Sequence, residues 1–319
     1  MVESPVYLLN SPEMDTDPFS DILKLANVTT LLTGGFTAGG PWAIRFPPRD
    51  RVQFFAVVKG RCRGQFDGED QSIWFETGDI GVLGEPRSVV LASGPDVAPV
   101  RGEDLFADGR TMATIGDGSE FAYIAGHVDF DQAGRRLLAD VLPAWIHVRP
   151  NESTATTFRW LLDRIVSEQA ADLPGAKIAS AQLMQLLFIE ILRAHLETRD
   201  VMPAGWLRAV ADPRLAPALR LMHGDPGRSW HLEELARASA MSRTIFAERF
   251  REVAGVAPLT YLTQWRMRLA ERSLREETTP VAAIARSLGY GSESAFSNAF
   301  KRVTGHSPRA CRGAARASV

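Results

Sequence analysis

Cysteine is almost missing from this chain: Cys62 and Cys311 are the only two in 319 residues. That excludes a disulfide framework and any all-cysteine zinc site. Long apolar runs are missing too. Segments such as Leu186-Leu187-Phe188-Ile189 fall far short of the roughly 20 residues of a membrane span. The first residues, with Glu3, Glu13, Asp15 and Asp17, lack the basic start and apolar centre of a secretory signal. The expectation is a soluble, cytoplasmic protein with no membrane partner. A strong net charge is also absent: 36 basic and 38 acidic side chains leave −2, which taken alone argues against a nucleic-acid binder. What is present is an ordinary globular composition, 45% hydrophobic and 23% charged, long enough for two domains.

The near-neutral total hides a division. From Pro213 to Val319 there are 17 Arg and Lys against 9 Asp and Glu, a surplus of 8 positive charges, so residues 1–212 carry −10. Asymmetry of this kind hints at nucleic-acid contact by the basic part. Solvated faces on arginine-rich helices are the competing reading.

Residue patterns suggest three regions. Residues 1–130 begin with a loose lead-in containing Pro5, Pro12 and Pro18. Short β-type runs follow, including Val52–Val58, Ser72–Phe75, Ile80–Leu83 and Phe121–Ile124. Turn signals at Lys59-Gly60, Asp67-Gly68, Gly78-Asp79 and Asp108-Gly109 separate them, which predicts a small sandwich or barrel. Residues 131–212 are helical and linker-like. Phe158, Leu161, Leu162 and Ile165 recur at helical spacing, and a second helix over 177–196 carries Ile178, Leu183, Leu186, Leu187 and Ile191. Its wide apolar stripe suggests a hairpin that meets a second subunit; the alternative is a hairpin that merely covers the barrel. Residues 197–213, with Pro203, Gly205 and Pro213, read as a linker.

The basic third contains one supersecondary unit twice. A short helix over 231–238 is followed by the turn Ser239-Ala240-Met241. Ser242 then caps a helix over 243–253 that packs through Ile245, Phe246 and Phe250 and stops at Gly255. A long helix over 258–275 leads to the second copy. There, a helix over 280–288, the turn Gly289-Tyr290-Gly291 and the cap Ser292 precede a helix over 293–304, with Phe296 and Phe300 buried and Gly305 as the stop. Helix, short turn and second helix is the arrangement that offers a recognition helix to the DNA major groove. Its repetition is much stronger than a single match.

The stretch Ile284-Ala285-Arg286-Ser287-Leu288-Gly289-Tyr290, then Ser292–Arg302, then Gly305-His306-Ser307-Pro308, resembles the signature of AraC/XylS-type transcription regulators over about 100 residues. The resemblance implies two recognition helices in successive major-groove segments of double-stranded promoter DNA. By position it places Thr244, Ala247 and Glu248 toward the bases, with Arg243 and Arg249 near phosphates and the cap Ser242 as a further DNA-binding candidate. In the second helix Glu293, Ser294, Ala295, Ser297 and Asn298 take the base-facing places beside Ser292, with Lys301 and Arg302 as phosphate contacts. Glu248 departs from the pattern, in which a basic or amide side chain is common; a glutamate accepts from cytosine N4 yet repels phosphate.

The front domain, residues 1–130, resembles the cupin-like sensor domains of one branch of that family, through Pro41-Trp42, Phe46-Pro47-Pro48, Phe54–Gly60 and Gly78-Asp79-Ile80. Phe55 stands about where related sensors carry a histidine, and the six histidines of the chain are scattered, so no multi-histidine facial metal site can be assembled and none is expected. The resemblance therefore points to a ligand-binding domain. Arg45 and Arg49 flank Phe46-Pro47-Pro48 in an Arg-x-x-x-Arg spacing similar to the PilZ-type motif for cyclic di-GMP, and guanidinium forks suit phosphate. Cyclic di-GMP is the expected effector, with Arg61, Arg63, Trp42 and Phe55 as further candidates; a solvated loop is the alternative. Cys62, between two arginines, is either an oxidant sensor or core filler.

The fold expected is α+β multidomain: a cupin-like β-barrel, a helical dimerisation hairpin and linker, and an all-α double helix-turn-helix domain over 213–319. The function expected is a homodimeric, effector-responsive regulator, more an activator than a repressor, that engages RNA polymerase. A cupin-type or DNA-alkyl-transfer enzyme carrying a DNA-binding module is the other class, but neither cysteine has a base close by in sequence.

Overall fold

The computed structural model describes residues 17–130, 134, 135, 138, 142–151, 154–171, 173–197, 203–276 and 279–317. Pro5, Pro12 and the acidic residues before Asp17 lie outside them. The chain divides into two compact units. One holds Ala26–Pro203, and the other joins the described residues up to Leu25 to those from Ala204 onward.

In the first unit, β1 (Thr29–Ala38), β3 (Val52–Lys59), β6 (Ile80–Leu83), β9 (Met112–Ile115), β10 (Phe121–Asp129) and β11 (Trp145–Val148) form one sheet in the order β11-β6-β3-β10-β1-β9. The strands β2 (Ala43–Phe46), β4 (Arg61–Phe66), β5 (Ile73–Glu76), β7 (Val89–Ala92) and β8 (Val100–Arg101) form the other, in the order β5-β4-β7-β2-β8. The expected barrel is thus two sheets not closed onto each other, a cupin-like jelly-roll arrangement. They share one aromatic core. Alternation along β4 sends Cys62 and Phe66 inward and leaves Arg61 exposed. Phe36, Trp42 and Phe121 pack at ring distances of 4.8–5.5 Å. The Lys59-Gly60 turn works as expected: Gly60 has φ 79°, and a Cβ there would lie 2.3 Å from the Glu120 carbonyl.

A four-residue helix, α2 (Gly102–Leu105), follows β8. The helices α3 (Ala155–Ala171) and α4 (Ala176–Glu197) belong to this same unit and do not form a region of their own. Thr30 of β1 donates to the Ala181 carbonyl of α4 at 3.0 Å, and Met184 reaches the backbone of Gly126 in β10. The hairpin therefore covers the sheet, yet it leaves Trp160, Ile178 and Leu186 exposed, Ile178 at 72%.

The second unit begins with α1 (Pro18–Leu25), where a loose lead-in was expected. The Asp17 carboxylate accepts from the Phe19 N–H at 3.1 Å and the Ser20 hydroxyl at 2.5 Å, and proline follows it at the first helical position. Part of the expected linker is helical as well. In α5 (Trp206–Ala211), Leu207 and Ala209 are buried, so the unit starts before residue 213. Next come α6 (Ala216–Gly224), α7 (Leu232–Ala238), α8 (Arg243–Ala254), α9 (Pro258–Glu276), α10 (Val281–Ser287), α11 (Glu293–Thr304) and α12 (Pro308–Ala317). There are two apolar cores. Phe246, Phe250, Leu235 and Tyr261 centre one, and Phe296, Phe300, Ile284 and Met267 the other. The long helix α9 supplies Tyr261 and Leu262 to the first and Met267, Ala270 and Leu274 to the second, which binds two small helical units into one body.

Candidate DNA interface and ligand cavity

The two recognition helices are built by the same local chemistry. The Ser242 hydroxyl accepts from Ile245 N–H at 3.3 Å, and the Ser292 hydroxyl from Ala295 N–H at 3.1 Å. Gly255 and Gly305 end them with φ of 75° and 84°. The preceding turns match too: Met241 N–H donates to Ala236 O at 3.0 Å, and Tyr290 N–H to Ala285 O at 2.9 Å. Phe246 and Phe250 on one side, Phe296 and Phe300 on the other, fix which face each helix buries.

That register decides what reaches solvent. Ser242, Arg243, Thr244 and Glu248 are exposed on α8, with Ala247 half-buried. On α11, Glu293, Ser294, Ala295, Asn298, Lys301 and Arg302 are exposed, as is the cap Ser292, and Ser297 is half-buried. Among the described residues the side chains of Glu248, Asn298, Lys301 and Arg302 make no hydrogen bond or ion pair, while that of Arg243 lies 3.5 Å from Glu233. Two expectations are corrected. Ile245 does not pack into the core but is 56% exposed, because Phe246 alone occupies the inward direction at that turn. Arg249 does not project as a phosphate contact: its guanidinium donates to the buried Asp212 carboxylate at 2.6 Å.

The N-terminal unit holds a cavity of about 230 Å³. Phe46, Phe55, Phe106 and Tyr123 supply its aromatic lining, and Arg49, Gln53, Glu103 and Arg110 line it with polar side chains. Of the expected effector residues, Arg49 and Phe55 line it. The others do not. Arg45 sits on the outward side of β2, paired with Asp67 at 3.2 Å, so the four-residue spacing does not put the two arginines on one face. Arg61 stacks over Trp74 at 5.2 Å, and Arg63 donates to the Ser72 hydroxyl at 2.5 Å. Trp42 is core, packed against Phe36 and Phe121. Gln53, Tyr123, Phe106 and Arg110 were missed; the strand alternation through Phe121 and Tyr123 was the one signal that pointed inward.

Cys62 is fully buried, and burial together with the nearby Asp79 charge pushes its thiol up to about 12. That is the opposite of an activated thiolate, so the oxidant-sensor reading gives way to core filler. Among the described residues no three His, Cys, Asp or Glu side chains are grouped to hold a metal ion, and no helix is long and apolar enough to cross a membrane.

Two helix-turn-helix units with matched caps and outward polar faces define a DNA-binding protein, here joined in one chain to a cupin-like domain. Family models agree: Cupin matches residues 17–197 and Helix-turn-helix domain residues 235–314. A Streptomyces lividans protein described as an AraC-like transcription regulator is 41% identical over 92% of this chain and 96% of its own length. The HTH-type transcriptional regulator AlkR of Acinetobacter baylyi is 30% identical over 85% of this chain and 90% of its own. The RCS-specific HTH-type transcriptional activator RclR of Escherichia coli is 31% identical over 60% of this chain and 68% of its own. This chain belongs to the AraC family: it is a sequence-specific, DNA-binding transcription regulator with a cupin N-terminal domain.

Proposed function

We propose that the protein is a homodimeric, effector-responsive activator in which a small molecule held in the cupin cavity changes how the paired DNA-binding units engage a promoter. The observation that carries this reading is the aromatic-lined cavity in the same chain as two intact helix-turn-helix units. An effector acts only through a difference in its binding free energy between DNA-competent and incompetent states. One relative's name contains the word activator, which supports recruitment of RNA polymerase over repression. The exposed Trp160, Ile178 and Leu186 of the hairpin support a second copy as partner. The relatives' names as regulators favour this over an enzyme. A cyclic dinucleotide loses support, since Arg45 is absent from the cavity and about 230 Å³ is below the roughly 300–1,000 Å³ of drug-sized sites.

On DNA, Thr244, Ala247, Glu248, Ser294, Ser297 and Asn298 read bases in this proposal, joined by Ile245 and Ala295 as apolar neighbours for a thymine methyl. Lys301, Arg302 and Arg243 hold phosphates. The test is quantitative binding to a duplex selected from random sequence. Asn298→Ala shifts preference at one base pair by about 1–3 kcal/mol. Lys301→Ala weakens all sequences alike and lowers the salt slope by about 1. An unchanged slope removes the phosphate role.

A further inference from the structure

The lining of the cavity carries an asymmetry of charge. Glu103 is satisfied by Arg101 at 2.6 Å, and Arg110 by Asp108 at 2.7 Å. The Arg49 side chain, exposed at the rim just after Pro47-Pro48, makes no hydrogen bond or ion pair among the described residues. Tyr123 shares that condition: it is only 6% exposed, lines the cavity, and its hydroxyl meets no hydrogen-bond partner among the described residues. A hydroxyl with no protein partner on the wall of a cavity is available to a ligand. The Gln53 amide is free in the same sense. Tyr123 is also fixed in place, with Phe55 stacked on its ring at 5.6 Å and Phe46 at 6.0 Å. Arg49 and Tyr123 line the same cavity.

Size narrows the ligand further. About 230 Å³ exceeds the roughly 150 Å³ of an engineered apolar cavity that takes up benzene. There is room for one ring or a short chain with a small polar head, and not for a nucleotide.

We propose that the cavity takes a small apolar monocarboxylate, its ring or chain among Phe46, Phe55 and Phe106, its carboxylate met by the Arg49 guanidinium and the Tyr123 hydroxyl. This rests on the reading of the cavity as the effector site. Calorimetric titration of the full chain with phenylacetate and hexanoate, beside phenylacetamide and hexanamide, tests it. The acids bind and the amides bind more weakly. Arg49→Ala lowers acid affinity by about tenfold to a hundredfold, as loss of a charged hydrogen bond does, and Arg49→Lys recovers part of it. Tyr123→Phe weakens the acids by a smaller factor, and Arg45→Ala leaves them unchanged. Thermal melts of each variant confirm folding, since Arg49 is exposed. Amides that bind as tightly as the acids, with no effect of Arg49→Ala, overturn the carboxylate assignment and keep the cavity as effector site. Absence of binding by all four probes, with no change in DNA affinity on adding any, overturns both.

Discussion

The Arg249 guanidinium lies 2.6 Å from the carboxylate of Asp212, with the Asp212 side chain 6% exposed and that of Arg249 32%. Asp212 also accepts from Arg214 N–H at 2.8 Å just before α6. One carboxylate thus anchors the first recognition helix to the helices that precede it.

Breaking a buried pair strands the remaining charge, typically at 3–5 kcal/mol. With Arg249 about a third exposed, Arg249→Ala is expected to destabilise the DNA-binding unit by roughly 2–3 kcal/mol. The salt dependence of DNA binding stays as it was. Urea denaturation read beside a salt titration checks this; a lower salt slope without lost stability restores Arg249 as a phosphate contact.

Ala240 and Gly289 hold the same place in the two turns, with φ of 52° and 79°. The left-handed region costs an alanine about 1–2 kcal/mol, part of which glycine returns as chain entropy. Ala240→Gly is expected to be stabilising by about 0.5–1 kcal/mol. Gly289→Ala is expected to be clearly destabilising, since its Cβ would meet the Gly227 carbonyl at 2.1 Å. Equal effects in chemical denaturation would contradict the matched turns.

His223 is buried against Trp265, its ring 4.0 Å away, with Nε2 2.9 Å from the Tyr261 hydroxyl and Nδ1 3.3 Å from Asp21. Burial lowers its pKa, with Asp21 and then Asp17 opposing the shift. The unfolded chain therefore takes up the proton first as pH falls. Stability from the neutral imidazole is complete above about 6.5 and declines below it, by at most about 1.4 kcal/mol per pH unit for this one group. Melting temperatures from pH 8 to pH 5 should fall in the native protein and fall less in His223→Gln. Identical profiles would rule His223 out as the cause.

Cys62, with its thiol pushed up to about 12 by burial and the Asp79 charge, is expected to resist alkylation by iodoacetamide at pH 8 in the native protein and to react once unfolded. Mass spectrometry of labelled protein reads both states. Native labelling at the rate of a free thiol would overturn the assignment as core filler.

The sequence by itself determined the double helix-turn-helix, down to the caps Ser242 and Ser292 and the stops Gly255 and Gly305. Helix ends are settled by side chains within a few residues of one another, so their logic is local and visible in one dimension. Alternation along β4 was legible for the same reason and turned Cys62 inward, away from Arg61. Tertiary structure decided what distance conceals. Arg45 and Arg49 share a spacing but not a face, because Arg45 lies within β2 and Arg49 beyond Pro47-Pro48, where the strand has ended. Gln53 and Tyr123 reach one cavity because β3 and β10 pair. Asp21 finds His223 across 202 positions, and Asp212 claims an arginine otherwise free for phosphate. The charge partition pointed to DNA; which charges remain unpaired was settled only when the chain folded.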